Sequence, residues 1–400
     1  GYFERMLRKY RFKNFFSFLE ETEVSLTVSS HVPDAYSIAK DDRGQRVSKV
    51  LAVLGANASG KTNVLKPVVF VHWFVSHSFQ LQPDAPIPLQ PHAEAMDQPS
   101  EFETEFCLDD EVWRYRVVLT TKRVLEESLH RKTSSQFSYV FVRKWSQASK
   151  GYEFKQKKDF GLKAAEVIDA RQNASVLSIA AQYGVDIATK LGHFEIASNI
   201  DFAGRMVNDS NYIGRLGAYY HKNPDHRKHM EALLRRWDLG FHGVEFEEVI
   251  PNPEKPEEKA IMMYGVHKGR TGPFRLGFRQ ESSGTVALFS LLAKLLPVLR
   301  KGGMAIIDEL ESDLHPLMLE PVLDLFFNER TNPHNAQLLF TCHAAEVLKH
   351  LHKCQVLLVE KNAHCESEAW RLDSVKGVRV DDNLYAKYLA GAYSAVPEFH

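Results

Sequence analysis

The sequence contains few cysteines, and none of them stands in a pattern typical of a metal site or a disulfide framework. There are four among the 400 residues, and no two of them have the spacing of a zinc-binding or redox pair. Scattered thiols of this kind are typical of a reduced protein, so we expect a cytoplasmic location. A metal site formed by His364 and Cys365 near Cys354 is the alternative, which the spacing disfavours.

The sequence also lacks a long hydrophobic run and an excess of charge of either sign. The longest apolar stretches, VVFVHWFV and ALFSLLAKLLPVLR, are too short or too interrupted to span a bilayer, and no secretory leader is evident. We therefore expect no membrane partner. The formal net charge of −1 means that no global basic field indicates nucleic acid, although a local basic patch stays possible.

The composition is that of an ordinary globular protein, with 44% hydrophobic and 25% charged residues. Alternating, aromatic-rich stretches at 7–28 and 102–139 predict antiparallel strands. The last hundred residues alternate between helical patterns and buried strands, which implies a parallel sheet. We predict three parts, an N-terminal lobe at 1–160, an inserted helical lobe at 161–242 and a C-terminal lobe at 243–400.

The stretch GANASGKT at 55–62 matches the pattern G-x-x-x-x-G-K-[ST] without a mismatch. Gly55 and Gly60 allow the backbone to curl so that successive amides point at phosphate oxygens. Lys61 can then reach the β- and γ-phosphates, and Thr62 can offer its hydroxyl to Mg²⁺. A structural glycine turn is the alternative. A buried strand before the stretch and a helical pattern after it favour the phosphate-binding loop, or P-loop.

One residue conflicts with the helical pattern that follows this loop. Pro67 lies inside it, lacks an amide proton and clashes with the preceding turn. We therefore expect the helix to be kinked or to end early. Further along the chain, the amphipathic segment HRKHMEALLRRWDLG predicts a helix that is capped by Gly240.

The segment MAIIDELESDLHP at 304–316 ends a short apolar run in adjacent carboxylates. The run suits a strand buried on both faces of a parallel sheet, and ending it in carboxylates is costly unless positive charge lies nearby. A solvated acidic loop is one explanation. The P-loop provides another, because it needs a second strand that delivers an aspartate to Mg²⁺. Asp308 is the candidate ligand, and Glu309 is the candidate general base.

Two weaker motifs accompany these. Ser282, Ser283 and Gly284 precede a helical pattern, where they could form an anion site or an ordinary N-cap. His343 follows the apolar run QLLFTC and taken alone is an ordinary loop residue. The P-loop comes first along the chain, and the acidic strand lies between these two motifs. This order favours a functional role for both motifs.

In this order the motifs resemble those of the ABC-type ATPases. ESSGT resembles the signature motif, IIDELESDLHP resembles Walker B with the D-loop, and His343 resembles the switch histidine. The resemblance implies that ATP and Mg²⁺ are bound between two heads, in an ATP-dependent homodimer or higher homo-oligomer. It implies that Thr62 and Asp308 bind the metal and that Lys61, Glu309 and His343 take part in the reaction. The residues that it places at the nucleotide are Gly55, Asn57, Ser59, Gly60, Lys61, Thr62, Asn63, Ser282, Ser283 and Gly284.

Asn57 in the P-loop and the early stretch FKNFFSF resemble the SMC/RecF branch. In particular, the chain is similar to the compact AAA-labelled ABC ATPases of phage-defence operons, the RloA/AbiL-like group, from NFFSF to the terminal YLAGAYSAVPEF. This implies an α/β P-loop NTPase, an ABC-ATPase head with a mixed β-sheet N-terminal lobe, a parallel core sheet and an inserted helical lobe. It also implies a slow ATPase that acts as sensor or scaffold beside a separately encoded effector, a nuclease or toxin.

Some positions depart from the family pattern. Cys342 stands where a second hydroxyl residue is expected before the histidine. The Q-loop glutamine is ambiguous between Gln90 and Gln98, and the adenine contact is expected near Lys13 and Asn14. No heptads separate the P-loop from ESSGT, which disfavours an SMC arm, and a nuclease domain would not fit after the histidine.

Two other functions stay open. One is a RecF-like DNA repair ATPase that clamps DNA, for which RKYRFK and HRKHMEALLRRW would supply basic residues, unless these are solvated faces. The other is an ATP-gated assembly platform in which hydrolysis is slow. A basic stripe would favour the first, and a neighbouring effector gene would favour the defence role.

Overall fold

The computed structural model describes residues 5–163, 165–202, 206, 212–237, 240–312, 314–343 and 345–374. The terminal stretch YLAGAYSAVPEF, which contributed to the resemblance, lies outside them. The strands are β1 (Arg5–Lys13), β2 (Thr22–Ser25), β3 (Ile38–Lys40), β4 (Arg46–Ser48), β5 (Val50–Gly55), β6 (Ser100–Leu108), β7 (Glu111–Leu119), β8 (Val124–Lys132), β9 (Ser138–Ser146), β10 (Gly151–Gln156), β11 (Ile196–Ser198), β12 (Phe241–Val249), β13 (Ala260–Lys268), β14 (Pro273–Gly277), β15 (Met304–Ile307), β16 (Gln337–Thr341), β17 (Val356–Lys361) and β18 (Ser367–Arg371).

The α-helices are α1 (Lys61–His77), α2 (Val167–Ala170), α3 (Val176–Gln182), α4 (Asp186–Gly192), α5 (Tyr212–Lys222), α6 (Pro224–Arg236), α7 (Ser283–Lys301) and α8 (Leu319–Phe327). Short 3₁₀ segments lie at Asp34–Tyr36, Ser78–Gln80, Pro316–Met318, Ala345–His350, Lys353–Gln355 and Leu372–Ser374. By length and composition α7 could cross a membrane. Its apolar residues, Leu288, Phe289, Leu292 and Leu295 among them, are buried in the second of the two large hydrophobic cores.

The core sheet has the strand order β11-β15-β16-β5-β17-β18. Its strands are parallel except β18, which pairs antiparallel with β17. All six residues of β5 are buried, and they alternate between the two cores: Leu51 and Val53 point to one, Ala52 and Leu54 to the other. This double burial explains why the central strands read as continuous apolar runs. The α/β P-loop fold predicted from the sequence is confirmed.

A second sheet is antiparallel, with the order β10-β9-β8-β7-β6-β1-β2. Strands β6 and β7 form a hairpin, and its turn residues Asp109 and Asp110 have φ of 50° and 62°. Two such residues in succession are typical of the tight hairpin turn whose twist matches the strands. Strands β9 and β10 extend this sheet beyond the stretch that the alternation predicted.

Three local expectations need correction. α1 runs for 17 residues through Pro67 to His77, so Pro67 does not end the helix, and buried Phe70 and Phe74 hold the part after it. α6 ends at Arg236 with Trp237 as its C-cap, so Gly240, which lies further along the chain, does not cap it. The predicted helical lobe also contains a strand, β11, which joins the core sheet beside β15.

Candidate functional site

The P-loop connects β5 to α1 at the carboxyl edge of the core sheet. Ala58 and Gly60 have φ of 61° and 102°, which turns the chain back towards the helix. A Cβ atom at Gly55 would overlap the carbonyl oxygen of Val359, and one at Gly60 would overlap the Ser367 hydroxyl. Both glycines are therefore required by close packing against neighbouring strands as well as by the curl of the loop.

A cluster of hydroxyl groups braces the loop from outside. Ser367 donates its hydroxyl proton to the Ser59 carbonyl oxygen at 2.6 Å, and its Oγ lies 2.7 Å from Ser17 Oγ, which also accepts from Asn63 Nδ2 at 2.8 Å. This contact fixes the Ser59 carbonyl oxygen of the loop against the first residue of β18. Ser17 lies in FKNFFSF, a stretch noted only for its family resemblance, and Ser367 belongs to no motif, so sequence reasoning gave neither of them a role at the site.

Asp308 lies against the start of α1, as the pairing of the P-loop with the acidic strand requires. Its Oδ1 accepts the hydroxyl of Thr62 at 2.8 Å and the hydroxyl of Thr341 at 2.6 Å. Thr62 lies 246 residues earlier in the chain. The adjacent strands β15, β16 and β5 end at one edge of the sheet and bring the three side chains together.

The main chain at Asp308 is held by a residue that the sequence did not single out. Asn199 follows the edge strand β11, where its Oδ1 accepts the Asp308 amide at 2.7 Å and its Nδ2 donates to the Asp308 carbonyl at 2.9 Å. Both backbone groups at the end of β15 are thus satisfied by one amide side chain. The only signal would have been the strand IAS before Asn199, which is too short to recognise.

Glu309 adopts a left-handed conformation, with φ of 52°. Its amide donates to Thr341 Oγ1 at 2.7 Å, and its Oε1 lies 3.4 Å from His343 Nε2. Non-glycine residues in this conformation cluster at functional sites, where surrounding contacts impose it. Here the contact with Thr341 helps to hold the backbone of the candidate base.

His343 lies between the candidate base and the P-loop lysine. Its Nδ1 is 2.7 Å from Lys61 Nζ, and its amide donates to Glu311 Oε1 at 2.7 Å. A protonated lysine can only donate, so Nδ1 accepts and the ring proton lies on Nε2, which faces Glu309. The residues predicted for catalysis, Lys61, Glu309 and His343, therefore form one chain of contacts.

Burial lowers the pKa of Lys61, and the nearby carboxylates of Glu311, Asp308 and Glu309 partly offset this effect. A triphosphate would add negative charge close to the ammonium group and would therefore favour its protonated form.

The P-loop borders a cleft of about 330 Å³. Most of its lining consists of predicted residues: Asn57, Ser59, Gly60, Lys61, Thr62, Asn63, Asp308, Glu309 and His343, with Ala58, Thr341 and Lys361 in addition. Lys361 was not predicted to be part of the site.

The signature residues do not line this cleft in the described part of the chain. Ser282 caps α7, and its Oγ accepts the Thr285 amide at 3.1 Å. Ser283 borders a separate cleft of about 550 Å³, which Glu309 also lines. Glu309 therefore lies between the P-loop and the cleft beside the signature helix.

The residues present fit a magnesium-bound nucleotide. Thr62 and Asp308 offer a hydroxyl and a carboxylate oxygen within hydrogen-bond distance of each other, and Mg²⁺ typically takes one or two such ligands together with phosphate oxygens and water. Ser59 Oγ is buried without a hydrogen-bond partner among the described residues, as a group able to meet a phosphate would be. No group of three or more His, Cys, Asp or Glu side chains suited to a metal occurs in that part of the chain.

The expected adenine and Q-loop residues lie elsewhere. Asn14 is buried, and its Nδ2 lies 3.0 to 3.2 Å from the carbonyl oxygens of Ala95, Gln98 and Pro99. Its side chain therefore holds the proline-rich crossing in place. Lys13, Gln90 and Gln98 are likewise not among the residues that line the P-loop cleft.

Two further expectations from the sequence concern Cys342, which stands in place of a hydroxyl residue, and the basic stretch RKYRFK. Cys342 is buried in the second core, and Thr341, one residue earlier, supplies the hydroxyl beside the carboxylates. In the stretch RKYRFK, Arg8 pairs with Asp41 at 2.7 Å and Arg11 pairs with Glu103 at 2.6 Å. These ion pairs weaken the case for a basic stripe on β1.

A model of the family described as "AAA domain, putative AbiEii toxin, Type IV TA system" matches residues 50–349, which is 300 of the 400 residues. No curated protein matches the chain. The solved structures that are similar to this chain include "Crystal structure of the SmcHead bound to the C-winged helix domain of ScpA", with 14% sequence identity, a TM-score of 0.47, and 93% of this chain and 99% of that chain covered. They also include "SMC head domain from Thermotoga maritima", with 15% sequence identity, a TM-score of 0.41, and 91% of this chain and 98% of that chain covered.

Proposed function

Because this chain belongs to that AAA-domain family, we propose that it binds ATP with Mg²⁺ in the P-loop cleft and hydrolyses it to ADP and phosphate. One observation carries the proposal: Asp308 Oδ1 accepts the Thr62 hydroxyl at 2.8 Å, which joins the acidic strand to the P-loop. Thr62 and Asp308 would hold the metal, which supplies charge neutralisation at the phosphate oxygens when bound.

The side chains around the cleft divide the remaining work. Lys61 binds the phosphate chain, and it can keep its contact with His343 because an ammonium group has three protons to donate. Glu309 accepts the proton of the attacking water as general base. The proton of His343 Nε2 faces Glu309 Oε1 and helps to keep that carboxylate at the hydrolytic side of the cleft.

We further propose that ATP joins two copies of the chain. Ser283 and Gly284 stand at the N-terminus of α7, a 19-residue helix whose first amides can bind an anion, yet they do not line the P-loop cleft of their own chain. A second copy can present this helix end to the nucleotide. The homodimer would then be assembled by ATP and released by hydrolysis, and a higher homo-oligomer is compatible with the same contact.

The biological role that we propose is that of a slow ATPase in an antiphage defence system, acting as sensor or scaffold for a separately encoded effector such as a nuclease or toxin. The support is the family description, which refers to a toxin of a toxin–antitoxin system, together with the sequence resemblance described above. The ion pairs on β1 give the DNA-clamping alternative less support.

The test compares the wild-type protein with Lys61→Ala and Glu309→Gln. Titration with a fluorescent ATP analogue should show that Lys61→Ala loses tight binding, on the order of a hundredfold or more. Glu309→Gln should bind normally but hydrolyse at least about a hundredfold more slowly, because the amide keeps the shape of the base and cannot accept the proton.

A pull-down with Glu309→Gln and Mg-ATP from cells that express the native operon addresses the partner. Capture of a co-encoded protein that depends on ATP would support the defence role. Capture of DNA alone would favour the RecF-like alternative.

Hydrolysis at the wild-type rate in Glu309→Gln would contradict the assignment of the general base.

A further inference from the structure

Lys361 is a positive charge at the P-loop cleft that the motifs do not include. It is the last residue of β17 and is one of the residues that line the cleft. Its side chain is exposed and has no ion pair or hydrogen bond with the rest of the described chain. Among the lining residues, the acidic ones are Asp308 and Glu309, so Lys361 and Lys61 are the two lysines that balance them.

The position of Lys361 is set by the hairpin that β17 forms with β18. In the register of this antiparallel pair, Lys361 lies directly opposite Ser367. Residues opposite each other in such a pair have side chains on the same face of the sheet, with Cβ atoms about 5 Å apart. The Ser367 hydroxyl contacts the Ser59 carbonyl, so the face that carries Lys361 is the one that packs against the P-loop.

The hairpin itself is firmly anchored. The Ser367 amide donates to the Ser17 carbonyl at 2.8 Å, and on the other side of β17 Val359 lies beside Gly55 in the parallel ladder. The turn is closed by Asn362, whose Oδ1 accepts the amides of His364 and Glu366 at 2.9 and 3.0 Å. The backbone of Lys361 therefore has a defined place, and its long side chain can reach into the cleft.

We propose that Lys361 contacts the phosphate chain of the bound nucleotide and that Ser367 is the positioning residue that holds it there. The inference rests on the proposed ATP binding and adds a second lysine to the phosphate site. A compact ammonium group on a flexible stem suits a polyphosphate, which offers many oxygen acceptors. The ligand class is thus a nucleoside triphosphate whose recognition depends on the number of phosphates.

The experiment measures dissociation constants of ATP, ADP and adenosine for the wild type, Lys361→Ala and Lys361→Arg. Lys122→Ala is the matched control, because it removes one lysine charge in the turn between β7 and β8, away from the cleft. Lys361→Ala should weaken ATP binding about tenfold, ADP binding less and adenosine binding not at all. The loss should shrink between 50 and 500 mM salt, since the charge is exposed. Lys361→Arg should retain most of the affinity.

Two results would overturn the inference while leaving ATP binding in place: unchanged ATP affinity in Lys361→Ala, or an equal loss for adenosine. A wild-type protein that binds no ATP would instead overturn the proposed function, and the inference with it. Ser367→Ala tests the positioning role. It should reduce the effect of the Lys361→Ala change to less than about threefold when the two are combined, because a displaced lysine contributes less; full additivity of the two losses would contradict that role.

Discussion

Thr341 donates its hydroxyl proton to Asp308, with 2.6 Å between Oγ1 and Oδ1. Thr341 Oγ1 also accepts a hydrogen bond from the Glu309 amide at 2.7 Å. One side chain on β16 thus orients both the candidate metal ligand and the backbone of the candidate base on β15. The candidate metal ligand and the candidate base therefore share one positioning side chain.

Replacement of Thr341 with valine should uncouple the candidate metal ligand Asp308 from the candidate base Glu309. Valine has a similar shape and no hydroxyl, so Asp308 loses a donor and Glu309 an acceptor, at a cost of about 1.5–3 kcal/mol for a hydrogen bond to a charged group. We expect the Mg²⁺ concentration for half-maximal ATP hydrolysis to rise about tenfold. Thr341→Ser retains the hydroxyl and is the control. An unchanged Mg²⁺ dependence in the valine variant would show that Thr341 does not orient the metal ligand.

Replacement of Ser283 with arginine should separate binding from assembly. The larger, charged side chain would stand at the N-terminus of α7, outside the P-loop cleft of its own chain. ATP binding to the monomer should therefore be normal, while dimer formation and hydrolysis should be lost. Light scattering of the variant with Mg-ATP measures dimer formation, and phosphate release measures hydrolysis.

Ser135→Arg is a suitable control for that experiment, since Ser135 is exposed in the loop between β8 and β9. If Ser283→Arg dimerises and turns over like the control, the signature motif does not act between two copies.

The antiparallel sheet contains a buried ion pair whose loss should be costly. Arg143 Nη1 lies 3.2 Å from Glu127 Oε1, and both side chains have no exposed surface. Arg143→Leu would leave the Glu127 carboxylate buried without its counter-charge, which typically destabilises a protein by about 3–5 kcal/mol. Arg116→Ala, which breaks a surface pair with Glu126, should cost about 1 kcal/mol or less. Urea unfolding compares the two, and equal losses would contradict the prediction.

Acid sensitivity should arise in part from His72 on α1. Burial, together with the positive charges of Arg5 and His77, lowers the pKa of His72 to about 3. The unfolded chain takes up the proton near pH 6.5, so the free energy of unfolding is highest above that pH and declines as pH falls towards 3. His72→Leu should remove about 2 kcal/mol of the loss between pH 7 and pH 5.

Urea unfolding at pH 7, 6 and 5 measures this dependence. His31→Gln, at an exposed loop position, should behave like the wild type. A leucine variant with the same pH dependence as the wild type would show that His72 titrates normally in the folded protein.

The strands and helices were only partly predictable from the sequence. The alternation of apolar and polar residues predicted β6, β7 and β8, because one face of each is buried and that pattern is local. The three-residue strand β11 carries no such pattern, and its place beside β15 depends on tertiary contacts. Pro67 shows the converse: a strong local signal against a helix was overridden, since the residues that follow are buried in the core.

For the site, the amino-acid sequence by itself determined the residues whose chemistry is local. The P-loop is a continuous stretch whose backbone shape and helix follow from its own glycines, and the carboxylates Asp308 and Glu309 end a strand that can be recognised by its apolar run. Only the tertiary structure decided what orients them. Asn199, Thr341, Ser17 and Ser367 come from separate strands and connections, and a single hydroxyl or amide at a strand end or in a connection has no distinguishing pattern. Their roles arise when parallel strands end at one edge of a sheet, because that packing brings distant side chains within hydrogen-bond distance.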